Sequence, residues 1–293
     1  MEIKHIRTFL TIMKEGSFTK AAECLGYTQS SITAHIHALE EALSVKLFER
    51  LSRQNVPTSA ALELLPYAKE LLRTQENITN AMYRFSGRME STVVIAASEA
   101  ILMANELKRF SGDYPEVGLN IKVHSCPEIP AMVREGEADL GVFIGMEGQD
   151  LSPLRILASK KEPTYLIGKK GLLADLSFKE ILGRENFIAH VRGKLYLRLA
   201  EHRFRDWGIT PKVIEAGSIS AVKELVISGL GVSLLPLSAI RRENSEGKLD
   251  LRPWDFPDNE PLPRAMLVAH RQKLLSPATA EIARRIGNAF KMS

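Results

Sequence analysis

Apolar residues recur at helical spacing over the first sixty positions. Ile6, Phe9, Leu10 and Met13 share one face, and Gly16 follows as a helix stop. Ser17-Phe18-Thr19 restarts the chain with capping hydroxyls, and Ala21, Ala22 and Leu25 supply a small face for close packing. Gly26-Tyr27 reads as a turn and Thr28 as the cap of a third helix. In that helix Ile32, Ile36, Leu39 and Leu43 recur at i, i+4, i+7 and i+11 and must face inward. Residues 45–50 and 56–58 flank the polar turn 51–55 and read as a β-wing. From 59 to 86 the period becomes seven: Ala61, Ala68, Gln75 and Met82 form one row and Leu64, Leu71, Ile78 and Phe85 the next. A helix of roughly 40 Å at 1.5 Å per residue is too long for so small a domain to cover, so a partner chain is the expected cover. Pro66 is expected to kink or delay this helix. Beyond Gly87 strands are predicted at 92–97, 119–123, 139–144, 164–168, 187–190, 212–215, 232–236 and 265–269. Helices are predicted through 107–110, at 130–137, from 222 and at 277–291. This alternation predicts an α/β fold with a parallel sheet and covering helices.

Composition narrows the function classes. The chain has 293 residues with 39 Lys+Arg against 35 Asp+Glu, a net charge of +4. Residues 1–58 hold 7 basic and 6 acidic side chains, whereas residues 264–293 hold 6 and 1, so the surplus lies at the C-terminal end. The two cysteines, Cys24 and Cys126, exclude a disulfide framework or a four-thiolate zinc site within one chain and fit a reducing compartment. Charge from the second residue onward, and no run of ~18 apolar residues, lead to the expectation of a cytoplasmic protein. No GxSxG, P-loop, HExxH or GxGxxG pattern is present, so no catalytic residues, cofactor or metal site are assigned.

The outer face of the third helix carries Gln29, Ser30, Thr33, Ala34 and His37, which are short or polar rather than a Glu/Lys mixture. A short helix, a Gly turn and a second helix of this kind describe a helix-turn-helix. Gln can pair with an adenine edge, Ser and Thr reach bases or phosphates, and Ala can touch a thymine methyl. Arg50 and Arg53 on the wing are placed for phosphates or a minor groove. Three small helices with a Gly turn also occur in domains that bind no DNA.

Phe9, Gly16-Ser17-Phe18-Thr19-x-Ala21-Ala22-x-x-Leu25, Gln29-Ser30-Ser31-Ile32-Thr33, Leu39-Glu40 and Leu47-Phe48-x-Arg50-x-x-Arg53 resemble the N-terminal signature of LysR-type transcriptional regulators. Phe110-x-x-x-Tyr114-Pro115-x-Val117, Gly136-x-x-Asp139-Leu140-Gly141-Val142 and Gly229-Leu230-Gly231-Val232-x-Leu234-Leu235-Pro236 extend the resemblance over essentially the whole chain. Two departures stand out: Ser44 and Ala61 occupy positions where the family usually has Gly, so a slight shift of local geometry is expected.

The resemblance implies a winged helix-turn-helix over 1–58, a linker and dimerisation helix over 59–88, and an effector-binding domain over 89–293. That last domain is of periplasmic-binding-protein type, with lobe I at about 89–162 and 265–293 and lobe II at about 163–264. It places Gln29, Ser30, Thr33 and Ala34 against bases and Arg53 at the DNA wing. It also implies dimers through the linker helix, usually tetramers, and an inverted-repeat promoter site.

Ligands in such folds sit beyond strand ends and near helix N-termini. That rule nominates Ser98, Ser125, Gly145, His190 and Ser218 for a small-molecule effector, with Glu99 and Ala100 in the turn after Ser98. Each serine alone reads equally well as a helix cap. Glu99 facing the cleft would disfavour a carboxylate unless His190 and Arg192 compensated; facing solvent, it would interact with the helix dipole. Cys126, beside the cleft, leaves open a thiol-based role. An α/β enzyme with a helical oligomerisation module and a solute-binding protein are the competing readings, and promoter binding separates the regulator from both.

Overall fold

The computed structural model describes residues 1–293 except 52–53, 87–88, 90–91, 99–102, 175, 191–194, 255, 257–260 and 293. The chain divides into two compact units, Met1–Arg88 and Met89–Ser293.

In the first unit α1 (Ile3–Glu15) ends at Gly16, α2 (Phe18–Leu25) at Gly26 and α3 (Gln29–Leu43) at Ser44. Each terminator adopts the left-handed conformation, with φ of 65°, 68° and 56°. Ser44, where a slight shift of local geometry is expected, takes up the left-handed backbone conformation that glycine favours. Ser17 and Thr28 cap the following helices through their hydroxyls, accepting from the Lys20 and Ser31 amides. Ile6, Phe9, Ile12, Ala21, Ala22, Ile32, Ile36 and Leu39 fill the core between the three helices. Strands β1 (Phe48–Leu51) and β2 (Gln54–Pro57) form the antiparallel wing, and Leu47 anchors its base in the core.

Helix α4 (Ser59–Ser86) runs unbroken through Pro66, against the expected delay. The expectation that a partner chain covers its apolar seam needs dividing. Ala61 and Ala68 are fully buried in the unit's own core, with Leu64, Leu65 and Leu72 packed beside them. Small residues here let α4 lie close against α1, and a glycine at position 61 would leave a gap. Farther along, Ile78, Met82 and Phe85 are 61%, 54% and 85% exposed.

The second unit contains a five-stranded sheet in the order β4-β3-β5-β12-β6. It is built from β3 (Thr92–Ala97), β4 (Gly118–Val123), β5 (Leu140–Met146), β6 (Leu154–Lys161) and β12 (Pro263–His270). Only β3, β4 and β5 are parallel; β12 runs antiparallel to β5 and β6, which corrects the all-parallel expectation. Val93, Ile95 and Ala97 pack under α5 (Ala104–Asp113) and α11 (Pro277–Met292). Ala96 faces α6 (Ile129–Arg134) on the other side, so period-two alternation here buries both faces of the sheet.

A second sheet, in the order β10-β7-β11, is antiparallel throughout. It consists of β7 (Thr164–Lys169), β10 (Ser233–Pro236) and β11 (Leu249–Pro253). The parallel pair β8 (Phe187–His190) and β9 (Val213–Ala216) joins it through a Phe187–Val232 bridge. At that junction Gly231 leaves no room for a side chain: a Cβ would sit 2.2 Å from the Asn186 carbonyl oxygen. Helices α7 (Phe178–Arg184), α8 (Leu195–Trp207), α9 (Ile219–Ile227) and α10 (Leu237–Ser245) cover this half. Neither β6 and β11 nor α7, α8 and α10 were among the elements predicted from the pattern.

Candidate functional site

The third helix presents the residues nominated for DNA. Gln29, Ser30, Thr33, Ala34 and His37 are all exposed, while Ile32, Ile36 and Leu39 on the opposite face are buried. Several are held by short local bonds. Ser30 Oγ lies 2.9 Å from Thr28 Oγ1, Thr33 Oγ1 donates to the Gln29 carbonyl at 2.9 Å, and His37 Nδ1 is 3.4 Å from a Glu41 carboxylate oxygen. The hydroxyls retain acceptor lone pairs for donors on base edges. Arg50 belongs to β1, but its side chain, like all of Arg53, lies outside the described residues.

His35 points inward instead. Its Nδ1 is 2.9 Å from Thr8 Oγ1, and its ring lies 5.2 Å from that of His5 and edge-on to Tyr27. The His5 imidazole is buried beneath α3, and burial, with a smaller opposing pull from Glu2, holds its pKa below the usual 6.5.

One residue that matters for the wing escaped the pattern reading. Glu40, at the end of α3, turns its carboxylate inward. Its Oε1 accepts from the Leu47 amide at 2.8 Å and the Phe48 amide at 3.3 Å, and its Oε2 accepts from Lys46 Nζ at 2.8 Å. Burial alone would raise its pKa; the Lys46 ammonium and the two amides outweigh that and hold it below 4.5. The recognition helix and the start of the wing are thereby bound to one charged group. Thr58 closes the other side of the wing, donating to the Lys46 carbonyl and accepting from the Ala61 amide.

In the second unit, Ser98, Ser125, His190 and Ser218 come together around one cavity of about 830 Å³. Ser98 follows β3, and its amide donates to the Val142 carbonyl. Its hydroxyl oxygen is buried without a hydrogen-bond partner among the described residues. Ser218 caps α9, accepting from the Ala221 amide at 3.1 Å, and Gly217 and Ser220 line the wall beside it. Glu99 and Ala100, like Arg192, lie outside the described residues. Among the described residues the acidic group lining this cavity is Glu128, which accepts from the Ser125 amide at 2.9 Å and hydroxyl at 2.5 Å and lies 3.8 Å from His124. The Ser125-x-x-Glu128 spacing, a capping-box pattern, was the sequence signal for it.

Gly145 does not join this group. It lines a separate cavity of about 440 Å³ that also contains Cys126, Gln149, Arg198 and His202. The two cavities share no lining residue among the described residues. Neither cysteine forms a disulfide: Cys24 is exposed on α2 and Cys126 is half-buried. Among the described residues no cluster of His, Cys, Asp or Glu could hold a metal ion, and no helix is long and apolar enough to cross a membrane.

Comparison with known proteins agrees with this arrangement. Residues 3–62 match the family model described as the bacterial regulatory helix-turn-helix protein, lysR family, and residues 86–291 match the LysR substrate binding domain. The chain is 31% identical over 297 residues to the HTH-type transcriptional regulator YfiE of Escherichia coli K12, covering 99% of both chains. It is 30% identical over 271 residues to CitR of Bacillus subtilis 168, covering 87% of this chain and 89% of that one. A full-length OxyR variant from Pseudomonas aeruginosa shares the fold with a TM-score of 0.70 at 19% identity, covering 100% of this chain and 95% of that one. The chain therefore belongs to the LysR family: it is a transcriptional regulator that binds promoter DNA through a winged helix-turn-helix, oligomerises, and carries a small-molecule effector domain behind a long helix.

Proposed function

We propose that residues 1–58 read DNA, that 59–88 link and dimerise, and that 89–293 sense the effector, with lobe I formed by about 89–162 and 265–293 and lobe II by about 163–264. Gln29, Ser30, Thr33 and Ala34 contact base edges, and His37, Arg50 and Arg53 contact the DNA backbone or an adjacent groove. The observation that carries this reading is the outer face of α3: exposed, short and polar, with its apolar side turned into the core. Ile78, Met82 and Phe85 on α4 meet their counterparts in a second copy, giving a two-fold dimer on an inverted-repeat site, and two dimers make a tetramer. The effector is a small polar molecule held by Ser98, Ser125, His190 and Ser218, and it meets the unpartnered Ser98 hydroxyl. The protein acts in the cytoplasm and has no catalytic activity of its own.

A mobility shift with the gene's own upstream DNA at moderate salt tests the DNA half. Binding by the wild type is expected, with a loss of about 1–3 kcal/mol for Gln29→Ala if it reads one base bidentately. A folded, dimeric protein that binds no promoter fragment refutes the reading. For the effector half, candidate compounds that raise the melting temperature of the wild type should fail to do so with Ser98→Ala. Unchanged responses throughout would remove Ser98 from the site.

A further inference from the structure

The smaller cavity of the second unit differs chemically from the polar one. It lies between the end of β5 and one face of α8, where Leu195, Arg198, Leu199 and His202 follow one another at i, i+3, i+4 and i+7. Phe143 to Met146 form the opposite wall. Its volume of about 440 Å³ falls within the range of small-molecule sites. Apart from the Gln149 amide, its described polar groups are the Arg198 guanidinium, the His202 imidazole and the Cys126 thiol, and no carboxylate of a described residue lines it. Arg198 makes no ion pair or hydrogen bond with any described residue and stands exposed at the rim. The polar cavity presents four serine hydroxyls and Glu128 on its walls.

An apolar chamber with a guanidinium at its edge that pairs with no described residue matches a molecule with an apolar body and one carboxylate. Leu195, Leu199 and Phe143 would cover the body, while the guanidinium fork accommodates the two carboxylate oxygens. An ammonium head would meet Arg198 as a like charge, and a short acid such as acetate would leave the apolar walls uncovered. We propose that this cavity is a second ligand site, selective for apolar monocarboxylates, separate from the polar effector site. The regulator then has two sites of different chemistry on one effector domain.

Isothermal titration of the full-length protein with octanoate, octylammonium and acetate tests this. Octanoate should bind, with the other two at least about tenfold weaker, because a charge-assisted hydrogen bond and the apolar contact are each worth that factor. Arg198→Gln should weaken octanoate by about tenfold or more, and Arg198→Lys should recover part of that loss. The exposed position of Arg198 predicts an unchanged melting temperature for both variants. Ser98→Ala and Ser218→Ala, in the polar cavity, should leave octanoate affinity as it is, so this site and the polar one fail or stand independently. The proposal is overturned if octanoate does not bind, if octylammonium binds equally well, or if Arg198→Gln leaves the affinity unaltered. Loss of octanoate binding in Ser218→Ala would overturn it too, by placing the acid in the polar cavity.

Discussion

Replacing Glu40 by alanine tests whether one buried carboxylate ties the recognition helix to the wing. The substitution removes the acceptor of the Leu47 and Phe48 amides and the partner of Lys46. A hydrogen bond to a charged group is worth about 1.5–3 kcal/mol, and a buried donor left unsatisfied costs about 1–3 kcal/mol. The Leu47 amide is buried with its residue, whereas the Lys46 side chain is 67% exposed, so its pairing adds about 1 kcal/mol at most. The expected loss is about 3 kcal/mol for Glu40→Ala and under 1 kcal/mol for Lys46→Met. Glu40→Gln should fall between them, because its amide oxygen still accepts from Leu47.

Hydrogen exchange resolves the effect locally: the Leu47 and Phe48 amides should lose protection in Glu40→Ala while the β3 and β5 amides of the other unit do not. The effect also has a pH signature. Because the folded carboxylate titrates below 4.5, its contribution is complete above that value and disappears as pH falls through the lower folded pKa. Wild type and Glu40→Ala should therefore converge in acid. Equal destabilisation by Glu40→Ala and Lys46→Met at neutral pH would refute the reasoning, because the surface ion pair would then be the whole interaction.

Other consequences are as direct. Ser44→Gly should stabilise the first unit by about 1 kcal/mol in urea unfolding, because the left-handed backbone at Ser44 is one that glycine adopts freely. Gly231→Ala should cost about 3 kcal/mol or prevent folding of the second unit, since its Cβ meets a backbone carbonyl at 2.2 Å; thermal unfolding followed by tryptophan fluorescence reads this out. The neutral His5 is the form that folds, so stability is complete above 6.5 and falls as pH drops from 6.5 towards the lower folded pKa; His5→Phe should flatten that slope in urea titrations between pH 7 and 5. Phe85→Glu should shift the protein towards monomer in sedimentation at micromolar concentration while leaving the helical signal of the first unit intact.

What was legible in the sequence divides along physical lines. The three N-terminal helices have single apolar faces and explicit stop and cap residues, so periodicity located them and α3 turned its nominated residues outward. Alternating strands buried on both faces, such as β3 and β5, were equally plain. Strand β6 was not: it is an edge strand ending in Ser159-Lys160-Lys161, and its alternation is diluted by polar positions. Strand direction was hidden as well, since nothing in the composition of β12 distinguishes an antiparallel strand between β5 and β6 from a parallel one.

At the candidate sites, residues defined by strand ends converged where the strands were correctly located, as with Ser98 and Ser218. Glu128 has only the Ser125-x-x-Glu128 spacing to mark it, and Arg198, a single arginine on a helix, has no periodic signature. Glu40 carries no sign of its role in the Leu39-Glu40 pair, because a buried charge is recognisable only once its amide partners are in place.

The divided burial of α4 turns residue number into direction. With Ala61 and Ala68 fixed in the core, the bearing of Ile78, Met82 and Phe85 around the helix axis is set by counting onward from Ala68. Each added or removed residue turns that stripe by about 100° and moves it by about 1.5 Å. A single deletion between Ala68 and Ile78 would thus swing the proposed contact face by more than a quarter turn away from its present bearing on the recognition helix. An insertion of seven residues would restore the bearing to within about 20° and lengthen the arm by about 10 Å. Phase and reach of the two reading heads are therefore separately adjustable quantities, written into the length of one helix.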